Sequence, residues 1–122
     1  MELSIERKVE IEREFTNLLN IFENRDKALK EMISEIRTIE ESEYLYEAYL
    51  MPIEEIYKEI KRYDNSCPML DAVKFVDNLK ERYHVDRKTV VKRIQNVRRI
   101  NRYIREKNMG LNTDEQENIK RK

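Results

Sequence analysis

The stretch LKERYHVDRKTVVKRI, residues 79–94, decides how this chain is read. Its apolar residues Leu79, Val85, Val90 and Ile94 flank a short turn, HVDR, and continue into a helical period on its far side. Asp86 carries a short acceptor side chain and is placed to cap a helix that starts at Arg87. Val90, Ile94, Val97 and Ile104 follow at spacings of four, three and seven, which puts them on one packing face. This last helix is expected to reach Lys107, with Gly110 marking its end. Working backwards, a partner helix is expected from about Met69 to Tyr83, with Ala72, Phe75, Val76 and Leu79 on its apolar face. DNSCP, residues 64–68, is the clearest loop.

The opposite face of the last helix is polar and basic. Lys88, Lys92, Gln95, Arg99 and Arg102 fall about half a turn away from the apolar row. Lys and Arg can pair with guanine edges, and amides such as Gln95 and Asn96 with adenine edges. Arg87, Lys88 and Thr89 lie in the first turn, where base edges are usually reached. Arg98, Arg99, Arg102 and Arg105 lie further along and suit phosphates. Residues 79–109 hold 11 Lys/Arg against 3 Asp/Glu.

The segment resembles a helix-turn-helix, with Leu79, Val85, Asp86, Thr89, Val90 and Ile94 at the positions that carry the motif. The family usually has Ala where Lys80 stands and a positive-φ Gly where His84 stands, a conformation His tolerates less well. The resemblance implies double-stranded DNA as partner and a small transcriptional regulator, as in phages and mobile elements. A non-catalytic inhibitor or adaptor that binds a host protein is the alternative.

Outward from this segment the chain changes sign. Residues 1–60 hold 8 Lys/Arg against 16 Asp/Glu, and residues 79–122 hold 14 against 6, although the net charge is zero. A basic end that meets polyanion and an acidic end that meets something else is the functional expectation. In the acidic part, Phe15, Phe22, Leu29 and Ile36 recur every seven residues, and Ile11, Leu18, Met32 and Ile39 fill most of a second row. Arg25 interrupts that row beside Asn24 and Asp26, either of which can cap a new helix. Two readings stay open: one long helix in a dimeric coiled coil, or two helices in an antiparallel hairpin. ESEYLYEAYL, residues 41–50, suits a helix packed partly under others, and Pro52 suits the first position of a helix carrying Ile53, Ile56, Ile60 and Tyr63.

The expected fold is therefore all-α. A helical hairpin or coiled coil over residues 1–50 precedes a helix-turn-helix unit with a long basic last helix over residues 51–110, and residues 111–122 form a flexible polar tail. One Gly and two Pro leave few breaks for a meander of strands. Cys67 alone excludes an internal disulfide and suits a reducing cytoplasm; no apolar run marks a signal peptide or membrane span. Residues 41–94 also resemble the C-terminal part of the ImmA/IrrE metallopeptidases, which cleave phage repressors, through Glu41 and the Leu50-Met51-Pro52 run. That resemblance would make Glu41 a zinc ligand. The family's H-E-x-x-H helix is absent, however, and His84 is the only histidine, so Glu41 is read as a surface or capping acid. No enzyme activity, metal or cofactor is expected. A homodimer or protein partner is expected through the acidic helices.

Overall fold

A computed structural model describes residues 3–66 and the backbone of 71–120, with side chains as far as Lys107. It is all-helical, with six helices among the described residues: α1 (Ile5–Phe22), α2 (Arg25–Ile33), α3 (Ile39–Leu50), α4 (Ile53–Asn65), α5 (Ala72–Tyr83) and α6 (Arg87–Lys120). Cys67, Pro68 and the expected helix start at Met69 lie outside the described residues.

Each start has a local cause. Ser4, Asn24, Thr38, Asp71 and Asp86 turn a side-chain oxygen onto backbone N–H groups that the following helix would leave unpaired. Pro52 sits just before α4, one residue earlier than expected, and blocks backward extension of that helix. The acidic half is a hairpin rather than one long helix. Glu23 adopts a left-handed conformation (φ 52°), its N–H bonds to the Leu19 carbonyl at 2.8 Å, and Asn24 opens α2. The reversal at Glu23 and a second break after Ile33 interrupt the heptad, and Phe22 and Ile39 fall outside the core, at 37% and 74% exposure. Gly110 does not end α6, which continues as helix to Lys120 in place of the expected tail. A glycine inside a helix costs only about 1 kcal/mol relative to Ala, too little to stop a run with no competing cap.

Two apolar clusters share α6. One joins Val9, Ile11, Phe15, Ala28, Met32, Tyr44, Leu45 and Ala48 of the first three helices to Ile100. The other joins Met51, Ile56, Ile60 and Leu79 to Val90 and Val97. One helix thus fixes the acidic half and the basic half to each other. No helix among the described residues is long and apolar enough to cross a membrane.

A flaw in the hairpin yields a stability prediction. Among the described residues, Glu14 Oε2 is buried without a partner of hydrogen-bonding geometry, and Glu35 stands beside it. Burial first, then interaction with and repulsion by Glu35, hold the Glu14 carboxyl above its usual range. An acid whose folded pKa is raised favours the fold while protonated and loses that contribution as pH rises above about 4.5. Glu14→Gln should therefore stabilise the protein by about 1 kcal/mol at pH 7 and leave it unchanged near pH 4. Urea unfolding at both pH values measures this, and equal midpoints at pH 7 would contradict it.

Candidate nucleic-acid interface

The turn between α5 and α6 is three residues long and tightly made. His84 takes the left-handed conformation (φ 56°, ψ 46°), its N–H bonds back to the Lys80 carbonyl, and the Val85 N–H reaches the same oxygen at 3.2 Å. The positive φ that His tolerates less well is the one it adopts. His84→Gly should therefore raise the melting temperature by roughly 3–6 °C, from about 1 kcal/mol of relieved backbone cost. A fall in melting temperature would show that the His side chain contributes more than its backbone costs.

Asp86 accepts from the Thr89 N–H at 2.7 Å, and bonds from the Thr89 hydroxyl and N–H hold its carboxyl below the usual range. Leu79, Val90 and Val97 are buried between α5, α6 and α4, with Val85 and Ile94 partly covered. Two further ties fix α5 on α4. Arg82 pairs with Glu59, and the Tyr83 hydroxyl donates to Glu55 at 2.9 Å. Burial and then that bond push the Tyr83 hydroxyl up to about 12.

With α6 held in this way, the residues read from sequence separate. Lys88, Lys92, Gln95, Arg99 and Arg102 are exposed and form one line along the helix. Among the described residues, no ion pair engages the four basic ones. The line is roughly 21 Å long at 1.5 Å per residue. Three of the other residues are committed elsewhere. Arg87 pairs with Asp77 of α5 at 2.7 Å. Arg98 makes a two-pronged bond to Asp64 of α4 at 2.9 and 3.0 Å. Thr89 is half-buried and turned onto Asp86.

Asn96 requires correction: it cannot reach a base. It is 5% exposed, its Nδ2 donates to Glu47 at 2.9 Å, and its Oδ1 accepts from Lys8 Nζ at 3.0 Å. Residues 93, 96 and 100 recur at three and four, and this row faces α1 and α3 rather than solvent.

The residue that sequence reasoning missed lies in the same row. The Arg93 guanidinium is fully buried. Its Nη1 and Nη2 grip Glu12 at 2.5 and 3.2 Å, its Nε donates to the Met51 carbonyl at 2.9 Å, and the Tyr44 hydroxyl lies 3.3 Å away. Tyr44 itself donates to Glu12 at 2.5 Å. Burial opposes the charge on Arg93, but the Glu12 carboxylate outweighs it and holds the guanidinium's pKa above its ordinary value. Burial raises the Tyr44 hydroxyl too, helped by Glu12. The signal was present in the spacing: Arg93 sits between Val90 and Val97 in the apolar register, a place where a charge must be paired.

The surroundings of the exposed line are unequal. On one side a groove between α3 and α6 sets Glu40, Glu43 and Glu47 near Lys8 and Lys92. On the other, a groove between α4 and α6 holds Lys61, Arg98, Arg102 and Arg105 around Asp64. The more cationic of the two linings therefore lies toward α4. Glu41 has an ordinary task. It accepts from the Arg37 N–H and from Arg7 Nε, both at 3.0 Å, and these bonds hold its carboxyl low. Among the described residues, no three His, Cys, Asp or Glu side chains gather as a metal would require. No protein-family model, curated protein or solved structure matches the chain.

Proposed function

We propose that the protein binds double-stranded DNA with the exposed face of α6, as a small transcriptional regulator of the helix-turn-helix kind found in phages and mobile elements. The observation that carries this reading is the line Lys88, Lys92, Gln95, Arg99 and Arg102, presented to solvent while the opposite face is packed. The tight turn supports it, since His84 takes the positive φ expected of that motif's turn position. Lys88 and Lys92 lie in the first turns, where base edges are within reach. Arg99 and Arg102 suit phosphates. Mixed-sequence duplex should shift the folded protein at low salt, and log affinity should fall linearly with log salt at about −0.9 per phosphate contacted. Folded protein that shifts no duplex at low salt would refute the reading.

A second reading draws on the other end of the molecule. Ile21, Ile33 and Ile39 stand 71%, 56% and 74% exposed on the acidic half. Apolar exposure of this kind suits a second copy or a protein partner. Solution mass with and without duplex separates the two. A protein module gains no mass from DNA, whereas a regulator that dimerises through the acidic helices keeps a doubled mass and adds the duplex.

A further inference from the structure

We infer that the groove between α4 and α6 is a phosphate-binding site, and that its occupant is the backbone of a polynucleotide strand lying beside the α6 line. The groove has a volume of about 330 Å³. Its α6 wall carries Arg98, Arg102 and Arg105 at i, i+4 and i+7, one row about 10 Å long. Its α4 wall carries Tyr57, Lys61 and Asn65, and the Lys61 ammonium lies 5.3 Å from the centre of the Tyr57 ring. Asn101 adds an amide to the lining, and Asp64 is the one carboxylate among the lining residues.

Four cations stand against one carboxylate in this lining, although the protein's net charge is zero. The arrangement fits phosphate in three ways. The chemistry is right: Arg forks take phosphate oxygens in pairs, Lys acts as a point charge, and amides donate single bonds. The length is right: a strand carries one charge per about 3.4 Å of helix axis and a longer step along its own path, so a 10 Å row spans about two phosphates. The direction is right as well. Glu43 stands beside Lys92 on the α3 side, whereas the α4 side offers this predominantly cationic lining. The Arg98–Asp64 pair is exposed, with side chains 44% and 43% accessible, so Arg98 can exchange its carboxylate for a phosphate at little cost. The backbone as source rests on the DNA-binding reading. The phosphate chemistry does not.

The test is amide chemical-shift mapping of the full chain, titrated separately with a 16-base-pair duplex and with inorganic pyrophosphate, on the wild type and on Lys61→Glu/Arg105→Glu. Both positions sit on the α4–α6 surface, and melting curves check that the variant folds. With duplex, the amides of Tyr57, Lys61, Asn65 and Asn101 should shift together with those of Lys88 and Lys92. The variant should bind duplex about tenfold or more weakly, with a salt slope shallower by about two. Asp64→Asn, which removes the competing carboxylate, should bind a few-fold more tightly. Duplex that shifts the α6 line but not the groove overturns this site and leaves the DNA-binding reading standing. If duplex shifts nothing but pyrophosphate saturates the groove and loses it in the variant, the phosphate site stands, its ligand is a free diphosphate, and the DNA-binding reading falls. If neither titrant shifts the groove, the site is overturned.

Discussion

Arg93→Ala should cost about 3–5 kcal/mol of folding stability, the usual penalty for removing one partner of a buried ion pair. A domain of this kind holds only about 5–15 kcal/mol in total, so the variant should be largely unfolded at a urea concentration that leaves the parent intact. Its loss strips Glu12, 5% exposed, of a two-pronged cation, and leaves the Met51 carbonyl without its Nε donor. Arg93→Lys should rescue little. An ammonium is a point charge and cannot reproduce the planar fork that reaches Glu12 on two prongs and Met51 with a third. The combination Arg93→Met, Glu12→Leu and Tyr44→Phe should recover most of the loss, because it removes the buried charges and the hydroxyl together. Should Arg93→Ala cost under about 1 kcal/mol, water must be able to replace the guanidinium, and the cluster would not be what locks α6. The cluster's structural consequence is the rotation of α6. Lys8, Glu12, Tyr44 and Glu47 from α1 and α3 all engage Arg93 or Asn96, so the basic line can point only outward.

That cluster is also where the sequence stopped being readable. Helical class, the caps at Asn24 and Asp86, and the exposed line from Lys88 to Arg102 all follow from local chemistry: short acceptors before a periodic run, and apolar residues at three and four. The hairpin stayed one of two readings because the heptad survives on paper across residues 23 and 24. A left-handed residue at Glu23 ends α1 with no glycine to announce it. Asn96 is expected at a base edge from its residue type, and the apolar register around Arg93 does not say what pairs it. Their burial depends on Glu12 and Glu47, 81 and 49 residues away in the chain. Partners at such a distance follow no local period, so residue type alone puts Asn96 on the wrong face and the register leaves the partner of Arg93 unnamed. Gly110 misled for the opposite reason: it is a strong stop signal only where the chain needs to turn.

Lys88→Ala/Lys92→Ala/Arg99→Ala should weaken duplex binding by about 10²–10³-fold at moderate salt, while far-ultraviolet circular dichroism and melting temperature stay at the parent values. The folding half of this prediction follows from exposure. All three side chains stand in solvent with no ion pair to break among the described residues. The binding half follows from counterion release. Three lost phosphate contacts would make the salt slope shallower by about 2.7, whereas base contacts would cost affinity without moving it. Measuring single variants across a salt series therefore assigns each residue. Arg99→Ala should move the slope by about one and weaken all sequences alike. Lys92→Ala and Gln95→Ala should leave the slope closer to the parent value and reduce discrimination between sites, by about 1–3 kcal/mol where a bidentate base pairing is lost. Arg25→Ala is the matching control. Arg25 belongs to the acidic hairpin, where it donates to the Tyr49 carbonyl at 3.1 Å, and its loss should leave duplex binding unchanged. Equal losses from Arg25→Ala and from the triple variant would mean that general charge, rather than the α6 line, attracts the duplex. The asymmetry of the molecule argues for the line, because Glu43 of α3 stands beside Lys92 on one side and the lining toward α4 is predominantly cationic.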